Sequence, residues 1–278
     1  MEFKIKPYEE LTLTDDFVFC KVMQNEEVCK ETIETLLHVR IKRIVYVEPQ
    51  KTIDMNYNSK GIRLDVYVED DKRVFDVEIQ TTLKNELPKR SRYYQSIIDI
   101  NSLRKGKLYT ELKESYVVFI CTGDPFKFNL PCYTFENICR EKEDLLLDDK
   151  SYKVFYNIKA YKEAGDIKTS ALLEYLQNGK SSNKLTEKLN ELVYEAKKNQ
   201  KWRKEYMTLE MMKTEKLYEG IKRGIALGRE EGREEGREAG ARNKALETAT
   251  NALMLGISAD KIATITGLSL EEIEKLKK

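Results

Sequence analysis

The sequence predicts a mixed α/β fold in which a core with the element order αβββαβ is followed by a long helical C-terminal extension. Three features predict this class. Residues 63–82 contain two runs of alternating apolar and polar residues around a polar turn, the pattern of a β-hairpin. Residues 115–122 (SYVVFICT) form a continuous apolar run of strand length, typical of the centre of a sheet. From Lys184 onward the pattern is helical almost throughout.

The core begins with a predicted helix over residues 14–39. Thr14 is its expected N-cap, and acidic residues occupy its first turn, where they complement the helix dipole. Residues 42–48 (KRIVYVE) have the composition of a strand, and we expect Pro49 to end it because proline cannot donate a ladder hydrogen bond.

The hairpin of residues 63–82 places acids on its polar face. If residues 70–73 form a four-residue loop, Glu69 pairs with Val74 and Asp65 lies opposite Glu78. Opposed residues have Cβ atoms roughly 5 Å apart, so two like charges there repel each other. Two interpretations remain open: a solvent-exposed face of an edge hairpin, or a pair of carboxylates that holds a divalent cation.

The remaining core elements follow in order. Residues 87–105 predict a long helix with Pro88 in its first turn. Its expected inward residues are Tyr94, Ile97, Ile98, Ile100 and Leu103. The strand at residues 115–122 ends at a turn formed by Gly123, Asp124 and Pro125.

Further elements are predicted beyond this turn. Two more strands are expected near residues 133–138 and 152–159, and a short helix at 167–177. The small, polar residues 178–183 (NGKSSN) are the best candidate for a domain boundary. We therefore expect a core domain at residues 1–178, a charged helical extension at 184–244 and a small helical module at 245–278.

Charge and cysteine content narrow the functional classes. The chain has 49 Lys and Arg residues against 48 Asp and Glu, so affinity for nucleic acid has to come from local patches. Its five cysteines form no C-x-x-C pair, which predicts reduced thiols in a cytoplasmic protein. The first residues (MEFKIKPYEE) lack the apolar segment of a signal peptide, and no run approaches the roughly 18–20 apolar residues of a membrane span. We expect no membrane contact.

Other catalytic arrangements lack the residues that they require. His38 is the only histidine, so a Ser/His or Cys/His dyad would have to use it, and no nucleophile motif accompanies it. Neither a Walker loop nor a zinc-ligand spacing occurs. We expect His38 to be a helix cap or a core residue.

Seven short motifs occur in a fixed order between residues 10 and 160. They are residues 15–19 (DDFVF), Asp65, residues 78–80 (EIQ), 90–95 (RSRYYQ), 105–113 (KGKLYTELK), 119–126 (FICTGDPF) and 133–139 (YTFENIC). This series resembles the PD-(D/E)XK nuclease superfamily, and more specifically its recombination-promoting nuclease or transposase branch. The resemblance implies a restriction-endonuclease-like core and a nuclease that acts on DNA.

The resemblance also implies roles for individual residues. Asp65 and Glu78 would bind the metal ion, with the carbonyl of Ile79 as a further ligand. Oxygen ligands of this kind suit Mg²⁺, with Mn²⁺ or Ca²⁺ as alternatives. The superfamily's usual lysine falls at Gln80, which carries no charge but can orient a water molecule through its amide. Asp16 would assist, although Asp15 and Asp16 could also simply complement the dipole of their helix.

A basic stretch follows the predicted site. Between residues 84 and 107 seven basic residues stand against two acids. Arg90 and Arg92 are candidates for phosphate contacts, and Tyr94 or Tyr93 could stack or hydrogen-bond nearby. A solvated helix face with one buried tyrosine is an equally good interpretation of the pattern alone. A second basic patch at residues 197–204 contains Trp202, which we expect to pack.

The tail contains a glycine at every fourth position, at residues 220, 224, 228, 232, 236 and 240. Each interior glycine costs a helix roughly 0.8–1 kcal/mol relative to alanine, so an isolated helix here would be marginal. Two interpretations remain: close packing against another helix, as in a homo-oligomer, or a flexible charged linker. The charge excludes a membrane helix dimer.

Residues 245–278 resemble a small helical module whose middle portion is similar to a helix-turn-helix. Ser269 and Glu272 form an expected capping box. The acids at the start of the last helix, residues 270–274 (LEEIE), would repel phosphates. Helical packing or oligomerisation is therefore favoured over DNA reading.

Together these observations predict a divalent-metal-dependent DNA endonuclease associated with recombination or transposition. One alternative is a catalytically idle module that binds DNA or protein on a nuclease scaffold, suggested by Gln80 and the near-zero net charge. Another is a purely structural oligomer organised by the glycine-rich tail.

Overall fold

The computed structural model describes residues 5–44, 46–53, 62–82 and 85–276. The chain divides into two compact units, Met1–Thr208 and Leu209–Lys278. The helices are α1 Asp16–Val22, α2 Glu26–Leu37, α3 Leu87–Ser102, α4 Ile167–Asn178, α5 Lys184–Lys198, α6 Gln200–Met254, α7 Ala259–Thr266 and α8 Leu270–Lys275. The strands are β1 Tyr46–Ile53, β2 Ile62–Glu69, β3 Arg73–Gln80, β4 Glu114–Cys121, β5 Cys132–Phe135, β6 Ile138–Cys139, β7 Lys142–Leu146 and β8 Ser151–Asn157.

The first unit is organised around a six-stranded mixed sheet with the order β1-β2-β3-β4-β8-β5. β1, β2 and β3 are antiparallel neighbours, whereas β3, β4 and β8 run parallel. β5 returns antiparallel to β8 at the far edge, and β6 and β7 form a separate two-stranded hairpin. The predicted α/β class and the element order of its core are confirmed.

Three of the predicted elements differ from the observed ones. The strand expected near residues 133–138 is β5, followed by β6 in a separate sheet. The helix expected at residues 14–39 is two helices, because the side chain of Asn25 accepts a hydrogen bond from the N–H of Val28 and starts a new helix. The strand expected at residues 42–48 lies later, at β1, and continues through Pro49. β1 is the outer strand of the sheet, where a residue without an N–H is tolerated.

The register predicted for the hairpin is confirmed, since Glu69 pairs with Val74 and Tyr67 with Asp76. The carboxylate of Asp70 accepts hydrogen bonds from the N–H groups of Lys72 and Arg73 and so closes the turn. The interpretation of the polar face as the exposed face of an edge hairpin is wrong. β2 and β3 are interior strands, and that face is buried.

Helix α3 lies over the polar face of the hairpin. Pro88 stands in its first turn as predicted. Tyr94, Ile97 and Ile98 are buried as expected, but Ile100 is 58% exposed because its position on the helix turns it away from the sheet. The core on this side of the sheet includes Tyr67, Leu87, Tyr94, Ile97, Ile98, Val117, Phe119 and Phe155.

Helix α2 packs on the opposite face of the sheet, where the hydroxyl of Tyr156 donates to the carbonyl of Leu36. Helix α4 ends at Gly179, which adopts a left-handed conformation with φ of 77°. The predicted boundary at residues 178–183 does not coincide with the observed division, because the first unit continues to Thr208. Leu185 and Leu189 of helix α5 are buried within the first unit.

The second unit contains most of α6 together with α7 and α8. The last turns of α6 pack with α7 and α8 around Ala249, Ile262, Leu268 and Ile273. The capping box of Ser269 and Glu272 is present. The glycine-periodic stretch is helical, and a Cβ added at any of its six glycines would meet no atom of the described chain within 4 Å. Within the described ranges, no helix has the length and apolar character needed to cross a membrane.

Candidate active site

Three carboxyl groups lie on one face of β2 and β3, under α3. Alternation along the strands places Asp65 on β2 and Asp76 and Glu78 on β3 on this common face. Their residues are 6%, 0% and 1% exposed, respectively. Burial of three acids is costly unless each charge is compensated, so this cluster is the chemically unusual feature of the fold.

Asp65 and Glu78 face each other across the two strands. The N–H of Asp65 donates to Oε1 of Glu78 at 2.8 Å, and the N–H of Ile79 donates to Oδ2 of Asp65 at 3.2 Å. Each carboxyl group thus accepts a backbone hydrogen bond from the opposite strand. The structure brings together the two acids that the sequence placed opposite each other.

Arg90, in the first turns of α3, supplies positive charge to this cluster. Its Nη2 donates to Oε2 of Glu78 at 2.5 Å, and its Nη1 donates to Oε1 of Gln80 at 2.7 Å. Its Nε donates to the hydroxyl of Tyr94 at 2.7 Å. The guanidinium lies 4.9 Å from the ring centroid of Tyr94 and 5.3 Å from that of Phe119. Arg90 is therefore held by three hydrogen bonds and two aromatic rings.

The electrostatics of the cluster follow from burial and proximity. Burial raises the pKa of Asp76 well above its usual range, and the nearby charges of Glu78 and Asp65 raise it further. Burial alone would lower the pKa of Arg90, but the Glu78 carboxylate, Tyr94 and Asp65 together outweigh it, and that pKa is raised. Burial, followed by the charge of Glu78, raises the pKa of Tyr94. Arg90 therefore remains charged beside Glu78.

Asp76 is a site residue that the sequence analysis missed. No N–H or O–H donor in the described part of the chain reaches either of its carboxyl oxygens, and its neighbour Glu78 is another acid. A signal was present in the sequence, because Asp76, Glu78 and Gln80 alternate along one strand. The motif of residues 78–80, which carries the family resemblance, includes Glu78 and Gln80 but not Asp76.

Gln80 lies at the carboxyl end of β3. Its Oε1 accepts from Arg90, and its Nε2 donates to the carbonyl of Thr82. The adjacent end of β4 is tied to it, since the N–H of Thr122 donates to the carbonyl of Gln80 at 3.1 Å. Gln80 thus lies at the edge where two parallel strands end.

The other predicted site residues lie on α1 and α3. Asp16 opens α1, and its Oδ1 accepts from the N–H of Phe17. Cys20, one turn later, donates its thiol to the carbonyl of Asp65 at 3.3 Å, so α1 lies beside β2. Arg92 is exposed on α3. Tyr94 is buried, with its ring packed against that of Phe119, and the predicted basic residue Lys84 lies outside the described residues.

The donor set is suited to a hard divalent cation. Among the described residues no group of three or more His, Cys, Asp or Glu side chains is arranged to hold a metal ion. However, Mg²⁺ binds through one or two carboxylates and keeps several water molecules, so Asp65 and Glu78, with the carbonyl of Ile79, form an adequate set. Asp76 lies beside them on the same face of the hairpin.

The described residues do not form a catalytic dyad with a histidine or a cysteine nucleophile. His38 ends α2 in a left-handed conformation, with its Nε2 3.6 Å from Oδ2 of Asp166, so it is a helix cap as predicted. All five cysteines are free thiols. Burial raises the pKa of Cys29 and Cys121 to about 12, with smaller contributions from Glu26 and Asp124, respectively, so neither thiol forms a thiolate near neutral pH.

Comparison with known proteins agrees with these observations. The sequence model of the PD-(D/E)XK nuclease family transposases matches residues 13–223, which include the whole sheet and the acidic cluster. Comparison with curated proteins and with solved structures gives no match.

Proposed function

The chain belongs to the PD-(D/E)XK nuclease family transposases, and from this premise we propose that it is a divalent-metal-dependent DNA endonuclease acting in recombination or transposition. The observation that carries the proposal is the convergence of Asp65 and Glu78 in a buried cluster. The basic helix α3 begins next to it.

Each residue has a distinct task in the proposed reaction. Asp65 and Glu78 hold the cation together with the carbonyl of Ile79, and Asp16 assists from the start of α1. When bound, Mg²⁺ neutralises charge on the scissile phosphate and lowers the pKa of a water molecule. Gln80, fixed through its contacts with Arg90 and Thr82, orients water through its amide.

The surface that would receive DNA is the exposed side of α3. Arg92 is exposed there, and Arg90 is partly exposed. Both are suited to phosphate contacts, which contribute affinity without reading sequence. Tyr94 is buried, so we assign it to holding Arg90 rather than to stacking on a base.

Plasmid cleavage tests the proposal. Purified protein is incubated with supercoiled plasmid in Mg²⁺ or Mn²⁺, and nicked and linear products are measured. Asp65→Asn and Glu78→Gln should each lower the cleavage rate by roughly a hundredfold or more, the usual effect of losing a metal ligand or its orienting partner. Asp71→Asn, in the exposed turn of the same hairpin, is the matched control and should cleave like the wild type. Equal cleavage by all four proteins would reject the assignment.

The second candidate is a module that binds DNA without cleaving it. Gln80 in place of a lysine, and the pairing of Glu78 with Arg90, are the observations that favour it. It predicts retardation of DNA in gels without cleavage in either metal.

We also propose that the chain forms a homo-oligomer through its C-terminal helices. Apolar side chains on the exposed part of α6 motivate this: Met207, Met211, Met212, Leu217, Tyr218, Ile221, Ile225 and Leu227. Sedimentation velocity of the full chain, which reports mass directly, tests it, and a monomer at micromolar concentration would contradict it.

A further inference from the structure

Glu78 and Arg90 form an ion pair at the position where the proposed function requires a metal ion. The carboxylate of Glu78 is 1% exposed and the side chain of Arg90 30% exposed, with 2.5 Å between Oε2 and Nη2. We propose that Arg90 is the exchangeable cation of this site. It pairs with Glu78 in the metal-free protein and turns to a phosphate group of DNA when a divalent cation takes Glu78. This inference rests on the proposed function and specifies how its site is regulated.

The contacts of Glu78 explain why the two cations compete. Its Oε1 already accepts the N–H of Asp65, and its Oε2 accepts Arg90. A metal ion at Oε2 would need the place that Nη2 occupies, and two positive charges on one buried carboxylate repel each other. A divalent cation that binds at Oε2 therefore displaces the guanidinium from this oxygen.

The remaining contacts of Arg90 show how it can leave without being lost from the site. Because the guanidinium is planar, it leaves Oε2 by turning as a whole, and its hydrogen bonds with the hydroxyl of Tyr94 and Oε1 of Gln80 change with it. The rings of Tyr94 and Phe119 support the guanidinium from one side. Once Nη2 is released, the partly exposed group presents an N–H toward solvent, and a guanidinium binds phosphate oxygens well.

Arg90 also supplies the positive charge that Gln80 lacks. Gln80 carries no charge, yet its amide oxygen is hydrogen-bonded to the guanidinium from α3. A positive charge thus stands beside Gln80 although it belongs to another element of the fold. We assign to Arg90 the phosphate-facing charge that Gln80 cannot provide.

Calorimetric titration with Mn²⁺, without DNA, gives the first test. Arg90→Gln removes the competing cation, so Mn²⁺ should bind roughly tenfold more tightly, the change expected on losing one charge-assisted hydrogen bond. Lys89→Gln removes the same charge one residue away, from an exposed side chain, and should leave Mn²⁺ affinity within about twofold, as expected for a screened surface charge. Unchanged or weaker binding in Arg90→Gln would overturn the competition.

DNA affinity with and without Ca²⁺ gives the second test. In EDTA Arg90 is engaged with Glu78, so Arg90→Gln should weaken binding of a DNA duplex by less than about twofold. In Ca²⁺ the same variant should weaken it roughly tenfold, the contribution of one charged phosphate contact. Equal losses in the two conditions would overturn the exchange of partners.

A second variant covers the case of misfolding, and the outcomes for Mn²⁺ binding and for cleavage distinguish the Arg90 exchange from the endonuclease proposal. If Arg90→Gln does not fold, Arg90→Lys serves instead, because lysine keeps the charge but cannot bridge Glu78, Gln80 and Tyr94 at once. Mn²⁺ should then bind severalfold more tightly than in the wild type, and an unchanged affinity would overturn the proposal. Tighter Mn²⁺ binding in a protein that never cleaves DNA would support the Arg90 exchange and reject the endonuclease. Cleavage with no effect of Arg90 on Mn²⁺ affinity would do the reverse.

Discussion

The carboxyl group of Asp76 is buried between the sheet and α3. Among the described residues, no N–H or O–H group donates a hydrogen bond to either of its oxygens. Burial without a partner costs a polar group about 1–3 kcal/mol and a charged group more. The acid is therefore a source of instability in the metal-free protein.

Asp76→Asn should leave the metal-free protein at least as stable as the wild type. Asparagine has nearly the same shape but no charge, and its amide can donate to the neighbouring Glu78. We expect the free energy of unfolding to rise by up to about 2 kcal/mol, measured by urea denaturation in EDTA. Asp71→Asn, the same change at an exposed position, should have almost no effect. A loss of stability in Asp76→Asn alone would show that the carboxylate has a stabilising partner.

Arg90 has one role that the sequence predicted and one contact that it did not. The sequence predicted a phosphate contact from its position in a basic stretch. The structure adds an ion pair with Glu78, which no spacing in the sequence indicates, because the two residues belong to different elements.

Among the elements, the loop after β4 is organised by one side chain. Oδ1 of Asp124 accepts from the N–H groups of Phe126 and Lys127 and from the hydroxyl of Tyr133, and Oδ2 accepts from the N–H of Asn129. Lys127 and Asn129 both have positive φ, at 65° and 56°. These hydrogen bonds hold a loop that would otherwise be strained.

Asp124→Ala should destabilise the protein by about 1–3 kcal/mol, because several buried or ordered donors lose their acceptor. Thermal unfolding measures this loss.

Burial alone would raise the pKa of Asp124, but the hydrogen bonds from Tyr133 and the backbone outweigh it and lower that pKa below 3.8. Its stabilising contribution is therefore complete above about pH 4 and declines as the pH falls through the lowered pKa. Asp124→Asn should flatten stability below pH 4, and an unchanged slope would contradict this assignment.

Helix α6 contains the glycine-periodic stretch. Gly224 and Gly232 have helical backbones and open space around a would-be Cβ. Replacing each by alanine should stabilise the helix by roughly 0.8–1 kcal/mol. Amide hydrogen exchange across residues 215–240 should slow accordingly. Gly179→Ala is a contrasting control, since φ of 77° there makes alanine unfavourable.

The same variants separate the two interpretations of the tail. If the glycines allow close approach of a second helix, alanine should weaken self-association in sedimentation velocity even though it favours the helix. Unchanged association would indicate that the glycines are not at an oligomer interface.

For the whole molecule, the compact first unit extends well beyond the predicted core domain. The hydroxyl of Tyr8 donates to the carbonyl of Ala196 in α5 at 2.7 Å, and that of Tyr206 in α6 to the carbonyl of Lys6 at 2.9 Å. Tyr206 also packs edge-on against Phe17. The end of this unit therefore closes over its beginning.

This arrangement predicts different outcomes for two truncated chains. Residues 1–215 retain α5 and Tyr206 and should unfold cooperatively, with a near-UV circular dichroism signal. Residues 1–178 lose the side chains that cover α1 and should aggregate or lack that signal, because a large apolar surface is left exposed. Cooperative unfolding of the shorter chain would show that the predicted boundary at residues 178–183 is a true domain limit.

Local chemistry accounts for what the sequence alone determined. Alternation predicted the strands of the hairpin, and a four-residue loop at residues 70–73 predicted that Asp65 lies opposite Glu78, in the register that the structure has. Proline and glycine positions fixed the start of α3 and the end of α4.

Long-range packing decided the rest. The burial of the polar hairpin face depends on α3, which lies over it only in the folded chain, and this leaves Asp76 a buried acid without an N–H donor among the described residues. The pairing of Arg90 with Glu78 and the closure of α5 and α6 over the amino-terminal segment join residues 12 to 200 positions apart. Sequence patterns report the preferences of neighbouring residues, whereas such contacts arise from the free energy of the whole assembled core.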